Sequence, residues 1–157
     1  MNTTTHPTDD RGRALIRYTG DLVVFAEDYE TYVLVIERGT EPFKGRLALP
    51  GGHVEHGETS LEAAVRETAE ETGLAVDAAA LHRVDVFDAV DRDPRGRVVS
   101  VAYTLALRGL PHIRGGSDAV NAKWIDVETA LRQGRMAFDH RDILAAAHDM
   151  YLDGHLD

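Results

Sequence analysis

Three glutamates, Glu67, Glu70 and Glu71, stand at i, i+3 and i+4, a spacing that brings carboxylates on adjacent helical turns within about one side chain of each other. Like charges placed so cost a few tenths of a kcal/mol (~0.3) per pair on an exposed helix, and more where water is excluded. Such a trio calls for a cation. Arg66, one turn from Glu62 and Glu70, offsets part of the charge, but one guanidinium does not neutralise three carboxylates. Hard divalent cations do: Mg²⁺, or Mn²⁺, takes oxygen ligands and is commonly held by a few carboxylates together with substrate phosphates. A glutamate-rich face is more often simply solvated, so the surrounding sequence has to decide.

The helix that carries the trio marks its own ends. Thr59 is an N-cap with Glu62 three residues on as a capping box, and Gly73 suits the left-handed residue after the last turn, which predicts a helix over Ser60–Thr72. On a 3.6-residue period Leu61, Ala64, Val65, Thr68 and Thr72 share the side expected to bury against a sheet, and the glutamates occupy a second face. Just upstream, Gly51 and Gly52 follow Pro50. Without side chains they let backbone approach a ligand closely.

Taken together, Gly52, Glu58, Arg66, Glu67, Glu70, Glu71, Gly73 and Leu74 resemble the Nudix box, G-x5-E-x7-R-E-U-x-E-E-x-G-U, where U is bulky and apolar. One position departs from the pattern, since Thr68 stands where an apolar residue is usual. A threonine methyl still packs against a core. The resemblance implies an α/β/α sandwich with a mixed sheet between helices, and a metal-dependent hydrolase that cleaves the pyrophosphate of a nucleoside diphosphate derivative with water. It implies that Glu67, Glu70 and Glu71 ligate Mg²⁺ or Mn²⁺, with the backbone carbonyl of Gly51 as a further ligand, and that Arg66 orients the carboxylates. The physics agrees: attack on a P–O–P polyanion needs charge neutralised on its oxygens, which divalent ions do while also acidifying a bound water.

The box alone does not choose a substrate. Arg38, the Pro42, Phe43 and Gly45 turn, the segment DRDPRGRVVSVAY at 91–103 and Phe138-Asp139-His140 are similar to the bacterial ADP-ribose pyrophosphatase-like branch, which implies ADP-ribose as substrate and AMP and ribose 5-phosphate as products. Hydrolysis of oxidised nucleoside triphosphates or dinucleoside polyphosphates is the close alternative. From another class comes a non-catalytic ADP-ribose sensor; such regulators carry a winged-helix domain beyond the Nudix part, whereas this sequence ends one helix later at Asp157. Arg38 and Arg46 bracket the loop before the glycines and suit bidentate contact to a diphosphate. Phe43 reads either as a plug over the core or as a stacking platform. The general base is open between Glu67 and Asp118, which follows two glycines in the loop after the longest strand. His53 and His56 read as exposed loop residues, and His140 as lining the pocket mouth or merely starting the last helix. Members of the branch commonly pair, so a homodimer is expected, reaching across through the arginine-rich turn at 91–97.

The elements needed to position these groups are legible along 157 residues, 43% of them apolar. Residues 1–14 read as a flexible polar tail and 15–157 as a single domain. Strands are expected at 21–26 and 31–38 as a hairpin, at 46–49, 81–87, 97–107 and 122–125, with helices at 127–133 and 140–152 capped by Asp126 and Asp139. The net charge of −10 disfavours attraction to a nucleic-acid backbone. Cysteine is absent, which excludes disulfides and thiolate chemistry. No apolar leader or membrane-length run occurs, so no membrane partner and a cytoplasmic setting are expected. Only Lys44 and Lys123 are lysine among seventeen basic residues, a bias that hints at a GC-rich bacterial genome.

Overall fold

The computed structural model of the chain describes residues 6–114, 119–133 and 135–156. In order the elements are β1 (Arg17–Glu27), β2 (Thr31–Arg38), β3 (Leu47–Ala48), β4 (Gly51–His53), α1 (Ser60–Thr72), a 3₁₀ turn (Ala78–Ala80), β5 (His82–Phe87), β6 (Val98–Arg108), β7 (Ala119–Asp126), α2 (Val127–Arg132) and α3 (His140–Leu152). Among the described residues the strands form one seven-stranded sheet in the order β3-β2-β1-β6-β5, with β4 also against β1 and β7 against β2. It is mixed, because β1 runs parallel to β6 along its whole length, from Arg17 opposite Val98 to Glu27 opposite Arg108, while the other pairs are antiparallel.

Strand β1 is buried without interruption from Asp21 to Ala26, the run expected of a strand covered on both faces. Leu22 and Val24 meet Ala64 of α1 and Leu74 on one side. Val23 and Phe25 meet Val127 and Ala130 of α2 and Ile143, Leu144 and Ala147 of α3 on the other. Two helical layers therefore enclose the sheet, as expected of the α/β/α sandwich. The second edge of β1 changes partner midway. Thr19, Gly20 and Asp21 pair with His53, Gly52 and Gly51 of β4, whereas Phe25 to Glu27 pair with Val33 to Thr31 of β2. The sheet forks between these two pairings.

Two expectations are corrected by packing. The buried face of α1 is Ser60, Ala63, Ala64, Thr68 and Thr72, while Leu61 and Val65 are only partly covered. The cause is proximity: a Cβ at Gly20 would overlap the Ser60 carbonyl oxygen, so α1 lies too close to β1 for large residues beneath it. Thr68 and Thr72 fit because their hydroxyls donate back to the Ala64 and Thr68 carbonyls at 2.7 and 2.6 Å. The Thr59–Glu62 capping box and the left-handed Gly73 close α1 as expected. Asp139 precedes α3 but its side chain makes no cap hydrogen bond. Its carboxylate is taken by Arg92 instead, at 2.9 and 2.7 Å.

Within the N-terminal stretch, Asp9 ties a tight turn by accepting from the Arg11 and Arg13 amides, both at 2.9 Å, and Leu15 N–H donates to the Pro7 carbonyl. No helix among the described residues is long and apolar enough to cross a membrane.

Candidate active site

A cavity of about 240 Å³ opens at the fork in the sheet. Gly51, Gly52 and Glu71 form one wall, Arg38, Arg95 and Phe138 another, and Asp21 and His140 lie in its buried depth. The topology explains the location: Leu22 N–H donates to the Pro50 carbonyl at 2.9 Å, holding the Pro-Gly-Gly turn where β1 exchanges β4 for β2.

The acidic wall is organised by Arg66. Its Nε and Nη2 donate to the two oxygens of Glu58 at 2.7 and 3.0 Å, its Nη1 to Glu67 Oε1 at 2.8 Å and Glu70 Oε2 at 3.4 Å, and its Nη2 also to the His53 carbonyl at 3.0 Å. Glu58 thereby ionises easily, its carboxyl held down at about 2 chiefly by the Arg66 hydrogen bond. The same partners hold the Arg66 cation well above its usual range, the Glu58 bond foremost. Glu67 moves the other way, because burial raises it and outweighs the pull of Arg66. Glu71 is pushed up to about 8, first by burial and then by the charges of Glu67 and Asp21, against the hydrogen bond its Oε1 accepts from Gly51 N–H at 2.9 Å.

Of the three glutamates only Glu71 lines the cavity; Glu67 abuts Gly52, and Glu70 is 60% exposed. Among the described residues no three acidic or histidine side chains converge on one point, since Glu67 is turned to Arg66 and Glu71 to the Gly51 amide. The donor set nevertheless fits a hard divalent ion. It consists of oxygens, it contains the Glu71 carboxyl raised first by burial and then by neighbouring negative charge, and the backbone beside it is cleared of side chains. A Cβ at Gly51 would overlap Asp21 Oδ1, and one at Gly52 would lie 2.5 Å from the Glu67 carboxylate carbon.

Asp21 was not singled out by the sequence pattern, yet it is 6% exposed, accepts a hydrogen bond from the buried Ser100 hydroxyl and lies directly against Gly51. Its signal is a lone acid opening the apolar run DLVVFA. Arg92, Asp93 and Arg95, from the charged turn at 91–96, also reach the cavity. His140 begins α3 and also lines the cavity, in its buried depth rather than at its mouth, its Nδ1 accepting from Leu49 N–H at 3.0 Å. His53 is an exposed residue at the rim and His56 is exposed. Phe43 plugs the small cluster of Ile36, Ala48 and Ala137 and meets Phe138 edge-on at 4.8 Å. Arg38 lines the cavity, whereas Arg46 is exposed, its guanidinium 5.7 Å from the Phe43 ring centroid. Asp118, the outside candidate for the base, lies beyond the described residues.

The NUDIX domain family model matches residues 17–147. An ADP-ribose pyrophosphatase of Methanocaldococcus jannaschii is 44% identical over 112 residues, 71% of this chain and 63% of that protein. An ADPR responsive transcriptional repressor of Acinetobacter baylyi is 33% identical over 132 residues, 82% of this chain and 52% of the repressor. The chain thus spans between half and two thirds of the length of these curated relatives. Among solved structures, the NUDIX domain of Shewanella oneidensis NrtR complexed with ADP ribose superposes with a TM-score of 0.81 at 25% identity, covering 92% of this chain and 94% of that one.

Proposed function

The chain belongs to the NUDIX domain family, and from that premise we propose that it hydrolyses the pyrophosphate bond of nucleoside diphosphate derivatives, with ADP-ribose as substrate and AMP and ribose 5-phosphate as products. The observation that carries the reading is the hydrogen bond from Gly51 N–H to Glu71, which joins the acidic helix to the glycine turn at the cavity wall. Glu67, Glu70 and Glu71 with the Gly51 carbonyl would hold Mg²⁺ or Mn²⁺. When bound, such an ion neutralises diphosphate charge and acidifies water.

The chain's own groups do the rest. Arg66, itself fixed by Glu58, holds Glu67 Oε1 in place, and Glu67 Oε2 is the atom we assign to accept the proton of the attacking water. Burial raises this carboxyl toward the basicity that the task needs. Arg38 faces the cavity from the opposite wall, where it would take a diphosphate oxygen; Arg46 would join it from the rim beyond Phe43. Asp118 is the competing base, and an amide at each position tells them apart at saturating Mg²⁺: the variant that loses on the order of 10²- to 10⁴-fold together with the acidic limb of the pH profile held the base.

The test is a substrate panel in Mg²⁺ comprising ADP-ribose, dinucleoside polyphosphates and oxidised nucleoside triphosphates, with AMP and ribose 5-phosphate expected from the first and loss of turnover in chelator. A faster reaction with either other class would replace the substrate assignment. The repressor relative and the ADP-ribose complex of the NrtR domain support a second reading, a sensor. Stoichiometric ADP-ribose binding in Mg²⁺ without product would establish it. Self-association is part of the proposal, and a scattering mass of 17.2 kDa at micromolar concentration would remove it.

A further inference from the structure

On the wall opposite the acidic helix, Arg38 has a second arginine beside it to which no role has yet been given. Arg95 donates from Nε and Nη2 to the two oxygens of Asp93 at 3.1 and 2.8 Å, and the Asp93 side chain is only 4% exposed. Its guanidinium carbon lies 5.4 Å from the Phe138 ring centroid. Arg38, anchored through Nε to the Pro42 carbonyl at 2.8 Å, sits 4.8 Å from the same centroid. A residue away, the Arg92–Asp139 pair fastens the turn at 91–96 to the start of α3. Two guanidinium groups are thus held at one aromatic ring inside the cavity.

Holding them there is costly. Phe138 has φ 52° and Phe43, packed edge-on against it, φ 61°. Left-handed backbone at a bulky residue costs about 1 kcal/mol or more and persists where the surroundings over-determine it. The two cations also repel: burial and the charge of Arg95 both depress Arg38. Asp93 compensates Arg95, but the Arg38 hydrogen bond is to a carbonyl, which leaves a positive charge at the wall of a chain whose net charge is −10. Two guanidinium groups held at one ring, with a single hydrogen-bonded carboxylate between them and the Nη1 side of Arg95 not engaged by Asp93, match a phosphate oxyanion better than a neutral sugar or base.

We propose that Arg38 and Arg95, spaced by Phe138, form a phosphate-binding subsite facing the acidic helix, which makes Arg95 a specificity-determining residue for the substrate's second phosphate. The inference rests on the pyrophosphohydrolase reading and extends it: one end of the P–O–P unit belongs to the carboxylate wall, the other to the guanidinium wall. The phosphate could belong to the nucleotide half or to the sugar half of the substrate.

Calorimetry on the full chain, at low salt and without turnover, distinguishes the halves. AMP and ribose 5-phosphate are titrated into the parent, Arg95→Ala, Arg95→Lys and Phe138→Leu, with adenosine and ribose as uncharged controls and a melting curve for each variant. Arg95→Ala should weaken one phosphate by about tenfold or more, the size of one charge-assisted hydrogen bond, with its uncharged control unmoved and its salt dependence flattened. The product that weakens names the half. Arg95→Lys should lose less, because it keeps the charge without the fork, and it carries the test if the alanine variant does not fold. Parent protein that binds neither phosphate, or a loss equal for a phosphate and its control, would overturn the subsite. Because no turnover is read, a protein that binds phosphate through Arg95 yet leaves ADP-ribose intact would refute the hydrolytic reading alone.

Discussion

The two walls of the cavity solve opposite electrostatic problems by different means. On the acidic wall, carboxylates from one helix and the loop just before it are gathered by a single arginine: Arg66 touches Glu58, Glu67 and Glu70. On the basic wall, arginines from a strand end and a remote turn are each given a separate anchor, namely Pro42 for Arg38, Asp139 for Arg92 and Asp93 for Arg95. The first arrangement is local in sequence and loosely held, with Glu70 in solvent. The second is assembled from distant segments, each of its two ion pairs having one nearly buried member, Arg92 or Asp93. If the acidic wall takes a cation as proposed, its carboxylates must turn away from Arg66 and Gly51 to do so, whereas the proposed phosphate contact on the basic wall needs no such rearrangement.

The sharpest break of that contrast is Glu71→Gln. The amide oxygen can still accept from Gly51 N–H, so the joint to the glycine turn survives while the charge is lost. Activity should fall by about 10³-fold, as for loss of an electrostatic group that stabilises developing charge, while the fold is kept. The stability consequence has a definite sign. Because the folded carboxyl is raised from 4.5 to about 8, folded protein binds the extra proton between those values, and stability contributed by that proton is lost as pH rises through 8. Without added metal, the melting temperature of Glu71→Gln relative to the parent should therefore climb from pH 5 to pH 9. A constant difference, or turnover within a few-fold of the parent, would remove Glu71 from the site.

Arg92→Leu makes the complementary break. Removing one partner of a pair in which Arg92 is 4% and Asp139 18% exposed strands a carboxylate beside α3, a loss of about 3 kcal/mol for buried pairs. Denaturant unfolding should show it, and the double variant with Asp139→Asn should recover part. A loss under about 0.5 kcal/mol would mean that water already screens the pair. Gly52→Ala returns to the acidic wall with a smaller effect. The added methyl would meet the end of a flexible Glu67 side chain rather than backbone, so stability should hold while turnover drops by about 10- to 100-fold, the usual effect of displacing a group that supports a metal site. Unchanged turnover would show that Glu67 works from another position.

The same contrast governs what the sequence could disclose. The acidic helix was readable down to its caps, because Thr59, Glu62 and Gly73 signal locally and the glutamate spacing is a property of one helix. The hairpin of β1 and β2, the strand β6 and α2 capped by Asp126 were readable for the same reason. The buried side of α1 was not, since the choice of Ala63 over Leu61 depends on how closely Gly20 lets β1 approach. Nor was the capping of α3: Asp139 has the right residue type before the helix, but Arg92, 47 residues away in sequence, competes for its carboxylate. Asp21 and the pairing of Arg38 with Arg95 at Phe138 exist only once strand order and a left-handed phenylalanine have brought three segments together.

The smallest effect concerns the depth of the cavity, where the two walls meet at His140. Its Nδ1 accepts the Leu49 amide proton, so that nitrogen must be unprotonated in the folded chain. Burial depresses the imidazole below its usual 6.5, ahead of the opposing pull of Asp21 and Asp139 and the reinforcing push of Arg92 and Arg38. The unfolded chain therefore takes up a proton near pH 6.5 that the folded chain refuses. The stability this group contributes is intact above 6.5 and is lost as pH falls toward the folded value, at a slope of no more than about 1.4 kcal/mol per pH unit for one proton. His140→Gln, able to accept from Leu49 N–H through its amide oxygen but not to titrate, should flatten the stability profile between pH 6.5 and 5 relative to the parent. Urea unfolding of both proteins at matched pH checks it. Parallel profiles would mean that His140 takes up its proton as readily in the folded chain as in the unfolded one, the pull of Asp21 and Asp139 cancelling the effect of burial.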